Sequence, residues 1–415
     1  MVVLTNEQRT SRIGRLTLIS LSDMVIAITL LLTISAVMIP LARWLGIGPE
    51  LGLLLSGIIL GSSHFLTASQ IGRLTDISQL GVVFFLFVIG LELDPRKIWS
   101  LRRYAFGLGA AQVIGTGLAM MFYWRLFSPS WSLALLFGLV ASNSSTALVL
   151  QLLKGRGELE QEYGQATLAL LLFQDLTVVP ILALLPVFAG TGSAESFVWW
   201  NALYAAEAMI IIFLVGRYLW PRLLRLAVAP NFDETFTAIL FIALFGGAWL
   251  ASSTGLSMAI GAFIAGLSLG SSEYRHRLGE EVLPLKNLLL GLFFVSVGLT
   301  VDLSVLSGQL ARIILHVVAI IVFKVVVLYL AARAMGMQHG AAARMSFLLA
   351  QCSEFAFVAL GELLALGTET QVQFSTGIIV VAATMVMTPW LNAIGILWSR
   401  WDSPLVSKRR PAREF

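Results

Sequence analysis

Apolar runs long enough to cross a bilayer recur from residue 22 to residue 401, and they constrain this chain more than any other feature. They fall near 22–42, 48–63, 76–93, 101–124, 131–153, 163–188, 197–226, 232–253, 255–271, 284–300, 309–335, 343–366 and 374–401. A helix that crosses the hydrocarbon layer needs about 20 predominantly apolar residues. Of 415 residues, 58% are apolar and 12% charged, against about 45–50% and about 25% in soluble domains. Single cores stop growing beyond about 250–300 residues, so no soluble core absorbs this much apolar surface. The expected fold is an all-α polytopic membrane protein with thirteen transmembrane segments. The two shortest, 48–63 and 255–271, are expected to be tilted, broken or partly interfacial. Trp44, Trp99, Trp124, Trp131, Trp220 and Trp398 sit near run ends, where amphipathic rings prefer to lie. Residues 1–21 carry Arg9, Arg12 and Arg15, but the apolar stretch behind them is long enough to span, so no cleavable signal peptide is read.

Loop charges orient the chain. With the N-terminus outside and the C-terminus cytoplasmic, 20 of the 27 basic residues fall on the inner side, and six fall outside, three of them in the N-terminal tail. The loops follow the positive-inside rule; the tail goes mildly against it. Basic and acidic residues number 27 and 23, which excludes a nucleic-acid footprint. A single cysteine, Cys352, excludes an intramolecular disulfide, and four scattered histidines offer no metal cluster. No nucleophile–base set suggests an enzyme, and no cofactor is expected.

The chain repeats itself. Gly52-x4-Gly57-x2-Leu60-Gly61-Ser62-Ser63 recurs as Gly261-x4-Gly266-x2-Leu269-Gly270-Ser271-Ser272, and Phe85-x4-Gly90-Leu91-x2-Asp94 recurs as Phe293-x4-Gly298-Leu299-x2-Asp302. At a similar offset Asn143-Ser144-Ser145 falls on Gln351-Cys352-Ser353, and Pro180 on Pro389. The period holds seven crossings; an odd number turns the second copy over. The expected organisation is an N-terminal tail (1–21), a first inverted six-helix repeat (22–196), a linker helix (197–231), a second repeat (232–401) and a basic cytoplasmic tail (402–415). Inverted repeats are a secondary-transporter architecture, with the site at the midplane between broken helices.

Several polar groups lie at mid-depth, where an acid costs about 2.5–3.5 kcal/mol on insertion scales. Asp175, in Leu172-Phe173-Gln174-Asp175-Leu176, is either half of a structural ion pair or a carboxylate that binds cations and protons. Lys324 is the one basic residue at comparable depth, hence the natural counter-ion of Asp175, as a structural bridge or as a tuning group. Ser142-Asn143-Ser144-Ser145-Thr146 interrupts segment 131–153. These residues either back-bond along an intact helix or unwind it, supplying oxygen ligands of the kind hard cations prefer. The matching break is Gln351-Cys352-Ser353-Glu354, where Glu354 is expected to neutralise half-helix N-termini rather than to bind the ion.

Gly90-Leu91-Glu92-Leu93-Asp94-Pro95, Phe173-Gln174-Asp175, and Ser272-Glu273-Tyr274-Arg275-His276 running on to Leu289–Gly298 resemble Kef-type potassium/proton antiporters of the monovalent cation:proton antiporter superfamily, across residues 22 to 400. The resemblance implies thirteen helices, a homodimer in the bacterial inner membrane, and a moving core half against a scaffold half. It makes Asp175 the cation- and proton-binding aspartate, Gln174 its neighbour, Asn143, Ser144, Ser145 and Thr146 part of one crossing break, and Lys324 and Glu354 the core counter-charges. Gln174 in place of a second acid is similar to the potassium-handling branch. The resemblance also makes 272–286, with Glu273, Arg275, His276, Glu280 and Glu281, a gating loop, although its acidic pattern departs from the family's. Kef-type proteins continue into a nucleotide-binding regulatory domain where glutathione acts; the sequence here stops at Phe415 after a short basic tail, so glutathione gating is not part of the expectation, and a separate cytosolic regulatory subunit is the partner the resemblance leaves open. The expected activity is exchange of potassium for protons by alternating access. A sodium/proton exchanger on the same fold, or a gated cation channel or sensor, are the alternatives.

Overall fold

A computed structural model describes residues 29, 32–63, 67–93, 95–128, 130–188, 199–228, 233–254 and 256–400. The expected tails and Asp94 lie outside the described residues. Among the described residues every regular element is a helix. The longer ones, in chain order, are α1 (Leu32–Trp44), α2 (Pro49–Ser62), α3 (Ala68–Glu92), α4 (Arg103–Trp124), α5 (Trp131–Ser142), α6 (Thr146–Gly155), α7 (Glu162–Phe188), α8 (Trp199–Leu214) and, after a π-helical stretch at Val215–Leu219, α9 (Trp220–Val228); a short helix, Pro95–Ser100, lies between α3 and α4. There follow α10 (Asp233–Ser253), α11 (Met258–Leu269), α12 (Arg275–Leu299), α13 (Ser304–Ala334), α14 (His339–Leu348), α15 (Phe355–Ala365), α16 (Gln371–Val386) and α17 (Thr388–Ser399).

Where the apolar runs fall on described residues, each coincides with a helix or with a broken pair of helices; residues 22–28, 30 and 31 of the first run and 197–198 of the seventh lie outside them. By length and composition seven helices can cross a membrane, and the pair α16–α17, bent by 45°, makes an eighth. Four of the other five runs fall on α1, α2, α11 and α15, short apolar helices of 10–17 residues, and run 197–226 falls on α8 and α9.

The described residues form two compact units, one of Met1–Gly81 with Asn287–Asp302, the other of Val82–Lys286 with Leu303 onwards. In the first, Leu60, Leu74, Val295 and Leu299 make a buried cluster joining α2, α3 and α12. Gly57 of α2 lies against the backbone of Val295 and Gly298, and Gly298 against that of Leu54; a side chain at either would strike main chain. In the second unit the same packing occurs with the roles exchanged. Gly266 of α11 lies against Phe87 and Leu91, and Gly90 of α3 against Phe263. The two glycine motifs thus repeat because each admits a helix backbone that a methyl group would exclude. The second unit has its own core of Leu108, Val149, Leu153, Leu170, Leu171, Leu328, Met345 and Leu348, which draws α4, α6, α7, α13 and α14 together.

The expected gating loop is not a loop. After the turn at 270–274, α12 begins at Arg275 and carries His276, Glu280 and Glu281 within its first turns. The apolar run defines only the lipid-depth part of this helix; its charged start is helical too, because Arg, Leu and Glu favour helix without burial. These charges are pinned to α9 and α10: Arg225 pairs with Glu273 at 3.1 Å, and Arg277 with Asp233 at 2.6 Å and Glu281 at 3.5 Å. Thr237 donates to Glu281 at 2.6 Å, and Arg275 to the Glu92 carbonyl at 2.9 Å. His276 and Glu280 are exposed.

Candidate functional site: two interrupted helices around Asp175 and Lys324

The first interruption is built by capping. Helix α5 ends at Ser142, and Asn143 turns into extended backbone (φ −74°, ψ 151°). Ser145 restarts the chain as the N-cap of α6, its hydroxyl accepting from Leu148 N. Four consecutive small polar residues, Ser142–Ser145, are each at most 2% exposed. Their freed backbone groups need partners, since no water is at hand at this depth.

Gln174 supplies two of them. Its carbonyl oxygen accepts from Ser144 N at 2.9 Å, and its amide donates to the Ser142 carbonyl at 3.2 Å and to Gln112 Oε1 at 2.7 Å. Gln112 also donates to the Ser142 carbonyl at 2.8 Å and to Thr116 at 3.3 Å. An amide, donor at one end and acceptor at the other, is what this position requires. Gln112 was not singled out from the sequence; a lone amide in α4, one turn before Thr116, is the only signal it leaves there.

The second interruption lies between α14, which ends at Leu348, and α15, which starts at Phe355. The two breaks meet directly: Ser144 Oγ donates to the Leu349 carbonyl at 2.8 Å. Lys324, on α13 and fully buried, joins them. Its ammonium donates to the carbonyls of Asn143 (2.7 Å) and Gln351 (2.6 Å) and to Ser144 Oγ (3.0 Å). All three ammonium protons are used. The expected ion pair with Asp175 is therefore not formed. Carbonyls released at the C-terminal ends of α5 and α14 offer the lysine closer acceptors, and they carry the negative end of each helix dipole.

Asp175 is 9% exposed and takes one hydrogen bond, from Thr146 Oγ1, which lies 3.0 Å and 3.2 Å from its two oxygens. Thr146 is the first residue of α6, so the carboxylate sits at a helix N-terminus. Among the described residues no basic side chain lies within 4 Å of it. Glu354 occupies the equivalent place at the start of α15, 6% exposed and close enough for its charge to act on Asp175. The junction thus has a cation at two helix C-termini and acids at two helix N-termini.

Three further polar atoms at the second break, both ends of the Gln351 carboxamide and Ser353 Oγ, are buried without a hydrogen-bond partner. Buried orphans of this kind cost about 1–3 kcal/mol each. Of the expected site residues, Asn143, Ser144, Thr146, Gln174, Asp175, Lys324 and Glu354 converge here, with Ser145 as a cap. Glu273, Arg275, His276, Glu280 and Glu281 belong to the charged start of α12 and the turn before it.

An all-helical membrane fold interrupted twice around an unpaired carboxylate defines a secondary transporter. The chain belongs to the sodium/hydrogen exchanger family, whose transmembrane region matches residues 28–393. Members of this family are cation/proton antiporters, hence transporters and not enzymes. The fold is similar to that of the sodium proton antiporter MjNhaP1 from Methanocaldococcus jannaschii at pH 8, with a TM-score of 0.66 at 16% identity, covering 91% of this chain and 99% of that one. A second structure of the same antiporter, from an electron-microscopy map, matches with a TM-score of 0.60 at 15% identity over 95% and 99% of the two chains.

Proposed function

We propose that this protein exchanges sodium for protons by alternating access, with Asp175 holding the cation and the proton in turn. The observation that carries this reading is the mid-depth carboxylate of Asp175, which accepts from Thr146 and has no basic partner among the described residues. A charge at that depth needs compensation. Fully held by sodium, the carboxylate has no proton; protonated, it has no claim on sodium. That exclusion couples the two fluxes. Thr146 Oγ1 stands beside it as a further oxygen ligand, of the kind that suits a hard monovalent cation.

Sodium is the better-supported cation, because the family and the similar solved antiporter both exchange it. Potassium is a second reading, favoured by Gln174, whose amide stands where paired acids mark sodium exchangers in the resemblance to Kef-type proteins. The working form we propose is a homodimer in the bacterial inner membrane with a cytoplasmic C-terminus, in keeping with the inner-side excess of Lys and Arg. The test is proton flux in proteoliposomes under equal gradients of sodium, lithium, potassium and rubidium. Sodium- or lithium-driven flux supports this reading; flux driven by potassium and rubidium alone supports the second, and none at all refutes both.

A further inference from the structure

Beside the junction lies a cavity of about 410 Å³. Its walls come from α4, α5, α13, α15 and α16, and none of Thr146, Gln174, Asp175 or Lys324 lines it. One side is a stripe on α13, Gln309, Arg312, His316 and Ile320, at helical three- and four-residue spacing. Phe127, Arg312 and Gln373 are exposed at one end, whereas Cys352, Ala356 and Val380 are buried at the other. The pocket therefore opens at the turns that follow α4 and α15 and closes against the second helix break.

Its chemistry is an aromatic wall with a carboxylate and a guanidinium that do not pair with each other. Trp124 packs on Phe137 (ring centroids 5.6 Å apart) and on Phe127 (6.3 Å). His316 is already engaged, its Nδ1 2.5 Å from Tyr123 Oη and its ring 4.6 Å from that of Trp124. Two atoms on the cavity wall are buried without a hydrogen-bond partner, Trp124 Nε1 and the Oε2 of Glu369, a half-buried residue in the turn between α15 and α16. Arg312 lines the same cavity, yet it and Glu369 form no ion pair within 4 Å among the described residues. A carboxylate oxygen enclosed without a donor costs free energy that a bound cation offsets. The space is far larger than a bare ion needs and falls in the range of small-molecule sites, about 300–1,000 Å³. Aromatic faces beside a carboxylate are the standard recognition of ammonium groups.

We propose that this cavity is a second binding site, for an organic ammonium compound with an apolar body, whose charged head is held by Glu369 and the rings of Trp124, Phe127 and Phe137. The titratable groups facing the cavity are Arg312 and His316 from α13, Cys352 from the break and Glu369. Burial pushes the Glu369 carboxyl up to about 7, so a bound cation, which favours the ionised form, binds more tightly above that pH than below it.

The test is calorimetric titration of the purified full-length protein with benzylammonium, benzyl alcohol and benzoate. Benzylammonium is expected to bind at least about tenfold more tightly than the neutral and anionic analogues. Its affinity is expected to fall at least about tenfold in Glu369→Gln, to weaken in Phe137→Leu, and to stay within about twofold in Asp175→Asn. On the wild type, which removes any doubt about folding of the variants, affinity rises from about pH 6 to about pH 8. Equal or tighter binding of benzyl alcohol or benzoate, a flat pH response, or an unchanged Glu369→Gln overturns the proposal. Loss of binding in Asp175→Asn also overturns it, because the ammonium then occupies the transport site.

Discussion

The Lys324 ammonium donates to the Gln351 carbonyl at 2.6 Å, across the point where two interrupted helices meet. With its bonds to Asn143 and Ser144 it ties the break after α5 to the break after α14, so the lysine is the fastener of the junction. Asp175 and Glu354 lie at the opposite, N-terminal poles. The charges are sorted by helix polarity and do not cancel each other as a pair.

Lys324→Met is consequently a stability variant first. It leaves the Asn143 and Gln351 carbonyls buried without a donor, about 1–3 kcal/mol for each orphan. The expected result is a melting temperature lower by on the order of 5–10 °C, with sodium binding retained in whatever protein stays folded. An unchanged melting temperature would remove the fastener role.

Gln174→Glu tests the reading of Gln174 as a helper of the broken backbone. A carboxylate there faces Gln112 Oε1 and the Ser142 carbonyl, both acceptors in the native arrangement. Destabilisation of about 1–3 kcal/mol is expected near neutral pH, partly recovered on acidification because a protonated carboxyl regains one donor. Chemical denaturation at two pH values checks both halves of the statement.

Much of this junction is legible in the sequence, and the rest is hidden for definite reasons. Asp175 and Lys324 stand out because ionised groups are rare at that depth, and Asn143-Ser144-Ser145 because polar residues interrupt an apolar run. What pairs with Lys324 is not legible: its acceptors are mostly main-chain carbonyls, which every residue has and which become available only where a helix stops. Gln112 escapes because a single amide barely alters an otherwise apolar segment. The start of α12 reads as a loop because run length measures the lipid-depth part of a helix and ignores its charged extension. Glu369 and the cavity it lines depend on five helices packing together, which no local pattern encodes.

The Glu158–Arg344 pair gives a pH prediction away from the junction. Arg344 contacts Glu158 at 2.5 Å, Tyr163 donates to the same carboxylate at 2.5 Å, and the guanidinium lies 4.5 Å from the Tyr163 ring centroid. Burial raises the Glu158 carboxyl, but the bonds from Arg344 and Tyr163 outweigh it and hold the group below its ordinary range. A depressed carboxylate stabilises the fold above its unfolded pKa, and that contribution is lost as pH falls through the folded value. Glu158→Gln should therefore lower the melting temperature at neutral pH, and the gap to wild type should narrow as pH drops below about 4. A gap that does not depend on pH would deny the pair its electrostatic role.

Sodium-driven proton movement in proteoliposomes carrying purified Asp175→Asn tests the central claim most directly. Asparagine keeps the shape and the contact with Thr146 while removing the charge that sodium and the proton share. The account predicts a folded protein of wild-type mass in solution, no measurable sodium binding, and proton flux no faster than in protein-free vesicles. Exchange at the wild-type rate would place the coupling carboxylate elsewhere and contradict the account.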